Sequence, residues 1–197
     1  MKRQETFVKM FDAGISYERY VELTLNEKIK DRMSRHFEAA QELISKIEPQ
    51  KLTRINRKMK ILCVSENWCG DCANGVPVIS ALADALNNWE FVIVVKTSFE
   101  EDFQQYYCTA GRQKIPMVIL ADEDGDEISR WVERPTRSYL LLANLQSQKL
   151  PKEEYIAKYK SMPELKIPNL TAEILRELME TADRATAMIQ ILPTKKR

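Results

Sequence analysis

Surplus charge is missing from this chain. Its 30 Lys and Arg residues stand against 29 Asp and Glu, for a formal net charge of +1. Without a basic field it is not expected to hold a nucleic acid or an anionic membrane surface. Long hydrophobic runs are missing too: a stretch such as FVIVV (91–95) is far too short to cross a bilayer. The opening MKRQETFVKMFDAG has basic residues but no apolar stretch behind them, so no secretory signal is expected. A cytoplasmic location with reduced cysteines follows as the expectation. Histidine is reduced to His36, and there is one CxxC pair with no second. One such pair supplies two metal ligands of the four a structural zinc needs, so no metal site is expected. Internal repeats and low-complexity tracts are absent.

What remains is ordinary globular material, 44% apolar and 30% charged over 197 residues, enough to bury a core without staples. Residues 16–48 carry Leu25, Ile29, Phe37, Ala40, Leu43, Ile44 and Ile47 near helical spacing. Thr24 and Glu27 have capping-box spacing, and Pro49 is the expected stop. Residues 50–58 read as a basic connection. KILCVS (60–65) and WEFVIVVKT (89–97) read as buried strands. Between them Val76, Ile79, Leu82, Ala83 and Leu86 form a helical stripe, with Pro77 expected to kink it. SFEEDFQQYYCTAG (98–111) reads as a helix ending at Gly111. PMVILAD and DEISRWVE read as strands joined by the turn DEDGD, and PTRSYLLLANLQSQ as a helix opened by proline. Residues 149–169, with Pro151, Pro163 and Pro168, read as a connection. Thr171–Leu192 reads as a last helix closed by Pro193. Its face of Ile174, Leu175, Leu178, Ala182, Ala185 and Ile189 needs a partner surface on this chain or another. From residue 60 the order is β-α-β-α-β-β-α, an α/β sheet covered by helices.

The chemistry sits in VSENWCGDC (64–72). A buried strand runs straight into a helix that begins at the cysteines. A helix N-terminus offers unpaired N–H groups and partial positive charge, which stabilise a thiolate. Cys69 is therefore the expected nucleophile. Cys72 lies about one turn further on, in reach to close a disulfide once Cys69 carries a mixed disulfide. Such a dithiol device needs no cofactor. The competing readings are a chance pair of core cysteines and half of a metal site. Cys63, in a buried strand, reads as a small hydrophobe, Cys108 as a bystander, and His36 as a solvated or packing residue.

WCGDC after a strand, with KIP (114–116) before the next hairpin, resembles the thioredoxin family. The resemblance implies a thioredoxin-like three-layer fold with a central mixed sheet, a helical N-terminal arm and a C-terminal helix. The arm would be residues 1–49, part of it serving as the fold's first helix, the thioredoxin-like domain 50–150, and the linker and C-terminal helix 151–197. It implies that Cys69 attacks and Cys72 resolves, exchanging disulfides with protein substrates and drawing electrons from an unidentified donor. Trp68 would shape the docking surface and Gly70 would let a substrate backbone approach. Pro116 would be a cis-proline that leaves the Ile115 backbone to pair with an extended substrate. Lys96 resembles a buried lysine the family often keeps near the dithiol. Two positions depart from the pattern. Asp71 replaces the usual proline, setting a carboxylate's charge against the thiolate while favouring the helix dipole. Cys63 stands where a buried acid commonly takes the resolving thiol's proton, which leaves Glu66 or water for that task. The rival functional reading is a redox-inert module that binds a partner through its added helices.

Overall fold

A computed structural model describes residues 2–191. Helices α1 (Arg3–Asp12), α2 (Tyr17–Glu22), α3 (Glu27–Ser45) and α4 (Pro49–Ile55) lead into β1 (Met59–Ser65). Helix α5 (Gly70–Asp84), β2 (Trp89–Val95), a 3₁₀ turn (Lys96–Phe99) and α6 (Glu100–Tyr106) follow. Then come β3 (Met117–Ala121), β4 (Glu127–Val132), α7 (Thr136–Ser147), α8 (Lys152–Ser161) and α9 (Asn169–Ile191).

The strands form the expected mixed sheet in the order β2-β1-β3-β4. β1 is parallel to β2 and antiparallel to β3, with Cys63 opposite Ile93 on one side and Val118 on the other. Flanked on both edges, β1 is buried along nearly its whole length, as its continuous apolar run requires. The β3–β4 hairpin turns at Asp122–Asp126, where the Gly125 amide donates to the Asp122 carbonyl at 3.0 Å. Gly125 has φ +88, and a Cβ there would come 2.7 Å from Val8 of α1, so backbone and packing both call for glycine.

Helix α5 is apolar nearly all round because it lies between the sheet and the helices α3 and α9. It stays a single helix through Pro77. α9 packs on β4, α5, α3 and α4, burying Leu170, Ile174, Leu175, Leu178, Ala182 and Ala185. Five of the six residues of its expected apolar face are thus covered on this chain, while Ile189 is exposed.

Several sequence expectations are corrected. The helix read over 16–48 is two, α2 and α3, with a break at 23–26. The capping box does not form: Thr24, fully buried, donates its hydroxyl to the Tyr20 carbonyl at 3.0 Å. Asn26 caps α3 instead, its side-chain oxygen accepting the amides of Lys28 at 3.0 Å and Ile29 at 3.3 Å, as suits asparagine's higher rank at that position. Pro49 opens α4 rather than only ending the helix before it, so much of the expected connection 50–58 is helical. Residues 149–169 are likewise not a plain connection. Pro151 precedes α8 and Pro163 opens a 3₁₀ turn, both at helix starts that proline tolerates. The helix read over 98–111 ends at Tyr106, and Gly111 belongs to a separate turn bridged by Thr109 and Arg112. The expected close of the last helix at Leu192 and Pro193 lies outside the described residues.

Candidate active site

β1 ends at Ser65, and the turn Glu66–Trp68 delivers the chain to Cys69, the N-cap of α5. The Cys69 sulfur accepts the Cys72 amide at 3.4 Å. Cys69 is half-buried and Cys72 is 1% exposed. Both are free thiols. A hydrogen bond from the Cys72 thiol, with the amides of Cys72 and Asp71, outweighs burial and lowers the Cys69 thiol from 9.0 to about 7. Burial, first of all, pushes Cys72 well above the ordinary range, and its bond to Cys69 and the Cys69 charge push it the same way. The site therefore holds one activated thiol at the surface and one protonated thiol behind it.

Asp71 does not stand free beside the thiolate. Its carboxylate accepts Arg134 Nη2 at 2.6 Å and Nε at 3.2 Å. Its opposing effect on Cys69 is the smallest of the named influences. Burial nonetheless holds the Asp71 carboxyl above its usual range against the pull of Arg134. Next to it, Glu133 has φ +61 and accepts Lys114 Nζ at 3.0 Å and the Tyr139 hydroxyl. Beyond Arg134 an open cleft of about 500 Å³ runs along α7 and α8, lined by Tyr139, Leu142, Tyr155 and Tyr159.

The other expected residues fall as follows. Trp68 is 68% exposed, a large aromatic face beside the dithiol. A Cβ on Gly70 would meet Arg32 only at 3.5 Å, so the fold itself does not demand glycine there. The Ile115–Pro116 bond is cis, as is a second, unexpected one at Ile167–Pro168. Pro116 lies against α5, its Cγ 2.9 Å from where a Cβ on Gly75 would stand. The Lys96 ammonium is held by Gln113 Oε1 at 2.7 Å and Glu100 Oε1 at 3.4 Å. Cys63 is fully buried, and burial pushes its thiol far up. Cys108 is half-exposed beyond α6. His36 is buried, its Nδ1 2.8 Å from the Thr171 hydroxyl, which gives it a packing role. The Glu66 carboxylate, also buried, accepts the Thr97 amide at 2.8 Å and the Thr97 hydroxyl, so it is turned away to a different partner.

Sequence reasoning missed three groups. Arg134 and Tyr20 carried no local signal. Ser65 carried a weak one, as a hydroxyl at the end of a buried apolar strand. Tyr20 Oη lies 2.7 Å from Ser65 Oγ, both residues being buried, and the Ser65 hydroxyl and the Glu66 amide pull the Cys72 thiol down against its burial. Among the described residues no cluster of three or more His, Cys, Asp or Glu side chains could hold a metal ion. No helix among them is long and apolar enough to cross a membrane.

No curated protein matches the chain. Among solved structures, a protein of unknown function from Pseudomonas aeruginosa is 24% identical with a TM-score of 0.61, covering 93% of this chain and 96% of its own. An HIV epitope-scaffold is 23% identical with a TM-score of 0.60, covering 94% and 98%. At these identities the likeness is one of fold. A family model described as Thioredoxin matches residues 14–146, more than half of the chain. That span runs from the approach to α2 through the dithiol and the cis-proline into α7, and over it the chain belongs to the thioredoxin family.

Proposed function

We propose that this protein is a thiol–disulfide oxidoreductase acting on protein disulfides through Cys69 and Cys72. The observation that carries the reading is the split between the two thiols, with Cys69 lowered to about 7 at the start of α5 and Cys72 buried and protonated behind it. The Cys69 thiolate attacks a substrate disulfide, and one substrate sulfur leaves as a thiol. Cys72 then attacks the Cys69 sulfur, the second substrate thiol leaves, and the protein is left with a Cys69–Cys72 disulfide. An electron donor returns it to the dithiol. Trp68, Gly70 and the Ile115–Pro116 backbone form the substrate-facing surface, Asp71 and Lys96 modulate the site, and a reducing compartment such as the cytoplasm suits the chemistry.

Cys69→Ser abolishes reduction of a protein disulfide, and Cys72→Ser accumulates mixed disulfides with substrate. Alkylation of the wild-type protein labels Cys69 first, with a pH midpoint near 7. Labelling of Cys72 first, or of both thiols at the rate of free cysteine, would overturn the assignment.

A further inference from the structure

Most charged groups around the dithiol are already paired. Asp71 is held by Arg134 Nη2 at 2.6 Å and Nε at 3.2 Å. Glu133 is held by Lys114 at 3.0 Å and by Tyr139, and the Glu66 carboxylate by Thr97. Arg32 differs: it is exposed, and among the described residues no hydrogen bond or ion pair engages its guanidinium. We propose that Arg32 selects substrates by binding the carboxylate of an acidic side chain that flanks the disulfide in a protein. The inference rests on the thiol–disulfide reading above and names the substrate class of that same site.

Placement makes the case. Helix α3 packs along α5, and Arg32 stands one turn before the buried His36 on the same side of α3. Its Nη1 lies 3.5 Å from where a Cβ on Gly70 would stand. The guanidinium is therefore in contact distance of the residue that follows the attacking cysteine. It also lines a recess with Asp71, Asn74, Glu133 and Arg134. That recess has a volume of about 30 Å³, room for roughly one water. A substrate group thus meets Arg32 from the open side and not from within. The two carboxylates of the recess, Asp71 and Glu133, are matched by Arg134 and Lys114. Arg32 is left as the surplus positive charge at the mouth, and Asp71 feels it less than it feels Arg134.

A guanidinium offers a planar fork of donors that fits a carboxylate through two parallel bonds. Trp68, 68% exposed, and the backbone before Pro116 suit a polypeptide segment rather than a compact ligand. A carboxylate within a residue or so of the substrate cysteine then comes to Arg32 as the disulfide comes to Cys69. Opposite charge also steers the encounter, an effect that salt weakens. The chemical step is unchanged. The Cys69 thiolate forms a bond to one substrate sulfur, the other sulfur leaves with the electron pair and takes up a proton, and the substrate disulfide is the oxidant. Arg32 acts on the choice of substrate and not on the sulfurs.

The test compares rates of attack on disulfides of different charge, in a Cys108→Ser parent that lacks the half-exposed thiol beyond α6. 5,5′-Dithiobis(2-nitrobenzoate) carries a carboxylate on each ring, 4,4′-dithiodipyridine is neutral, and both release a coloured product on attack. Arg32→Gln lowers the rate with the first relative to the second about fivefold at low salt and by less at high salt. Arg32→Glu lowers the ratio further. Taking the ratio cancels any change in the Cys69 thiolate fraction, which would move both rates alike. Peptide dimers joined through one cysteine, with either Glu or Gln beside it, carry the substrate arm. The parent attacks the Glu dimer about fivefold faster than the Gln dimer, and the Arg32→Gln protein does not distinguish them. Equal rates for the two dimers in the parent, or a reagent ratio unmoved by Arg32→Gln, overturn the proposal. Oxidised glutathione reacting faster than the Glu dimer assigns the carboxylate to a small disulfide and overturns the protein substrate. A parent that attacks none of these disulfides, the neutral one included, overturns the thiol–disulfide reading itself.

Discussion

At the scale of single residues, the acid inside the dithiol motif is governed by a side chain that the motif does not contain. A carboxylate near a thiolate disfavours it, but Arg134 meets Asp71 through two nitrogens. Arg134→Gln leaves that charge unpaired and raises the Cys69 pKa from about 7 by roughly half to one unit. Asp71→Asn alone moves it little, and the double variant returns close to wild type. Thiolate absorbance against pH at low salt reads all three, and an Arg134→Gln curve superimposable on wild type would refute the account. Added salt shrinks the shift, since both side chains are partly exposed. Cys69, Cys72 and Trp68 were legible in the sequence because a helix start is a local feature. Arg134 and Tyr20 were not, because they come near the dithiol only after the sheet has formed.

At the scale of elements, the strands, the hairpin and α5 were read correctly because each carries its own periodicity and punctuation. The errors gathered at prolines and caps. Pro49 read as a stop, and Pro151 and Pro163 as parts of a connection, but all three stand at helix starts, and only the geometry on either side separates these uses. The joint of α3, α5 and α9 was invisible for another reason, since His36, Asn74 and Thr171 meet only in the fold. Burial first, then the charge of Arg32, lowers His36 from 6.5 to about 4. Its folded-state pKa lies below the unfolded one, so the unfolded chain takes up the proton first as pH falls. The neutral imidazole's contribution is complete above about 6.5 and is lost progressively as pH falls towards 4. The full loss is about 3 kcal/mol. Denaturant melts at pH 7, 5.5 and 4.5 show this decline in wild type. His36→Gln has lower stability at pH 7 but a flatter pH dependence across that window. Parallel slopes would place the titration elsewhere.

At the scale of the whole molecule, the question is whether the added helices serve the fold or serve a partner. The rival reading, a redox-inert docking module, needs an apolar helix face left over for another protein. α9 has spent most of its face within the chain, all but Ile189, with Leu178 only 2% exposed and the helix lying on β4, α5, α3 and α4. It backs the same helix that begins at Cys69, so its packing supports the dithiol directly. Leu178→Ala removes buried methyl groups and leaves a cavity under α9, at a cost of about 3 kcal/mol within a usual range of about 2–5. The loss appears as a lower denaturant midpoint in one cooperative transition, with the slope against denaturant unchanged. A separate early transition, or a cost below about 1 kcal/mol, would mean that α9 detaches from a domain that stands without it. Its apolar face would then be free to dock elsewhere, and the interaction reading would regain its footing.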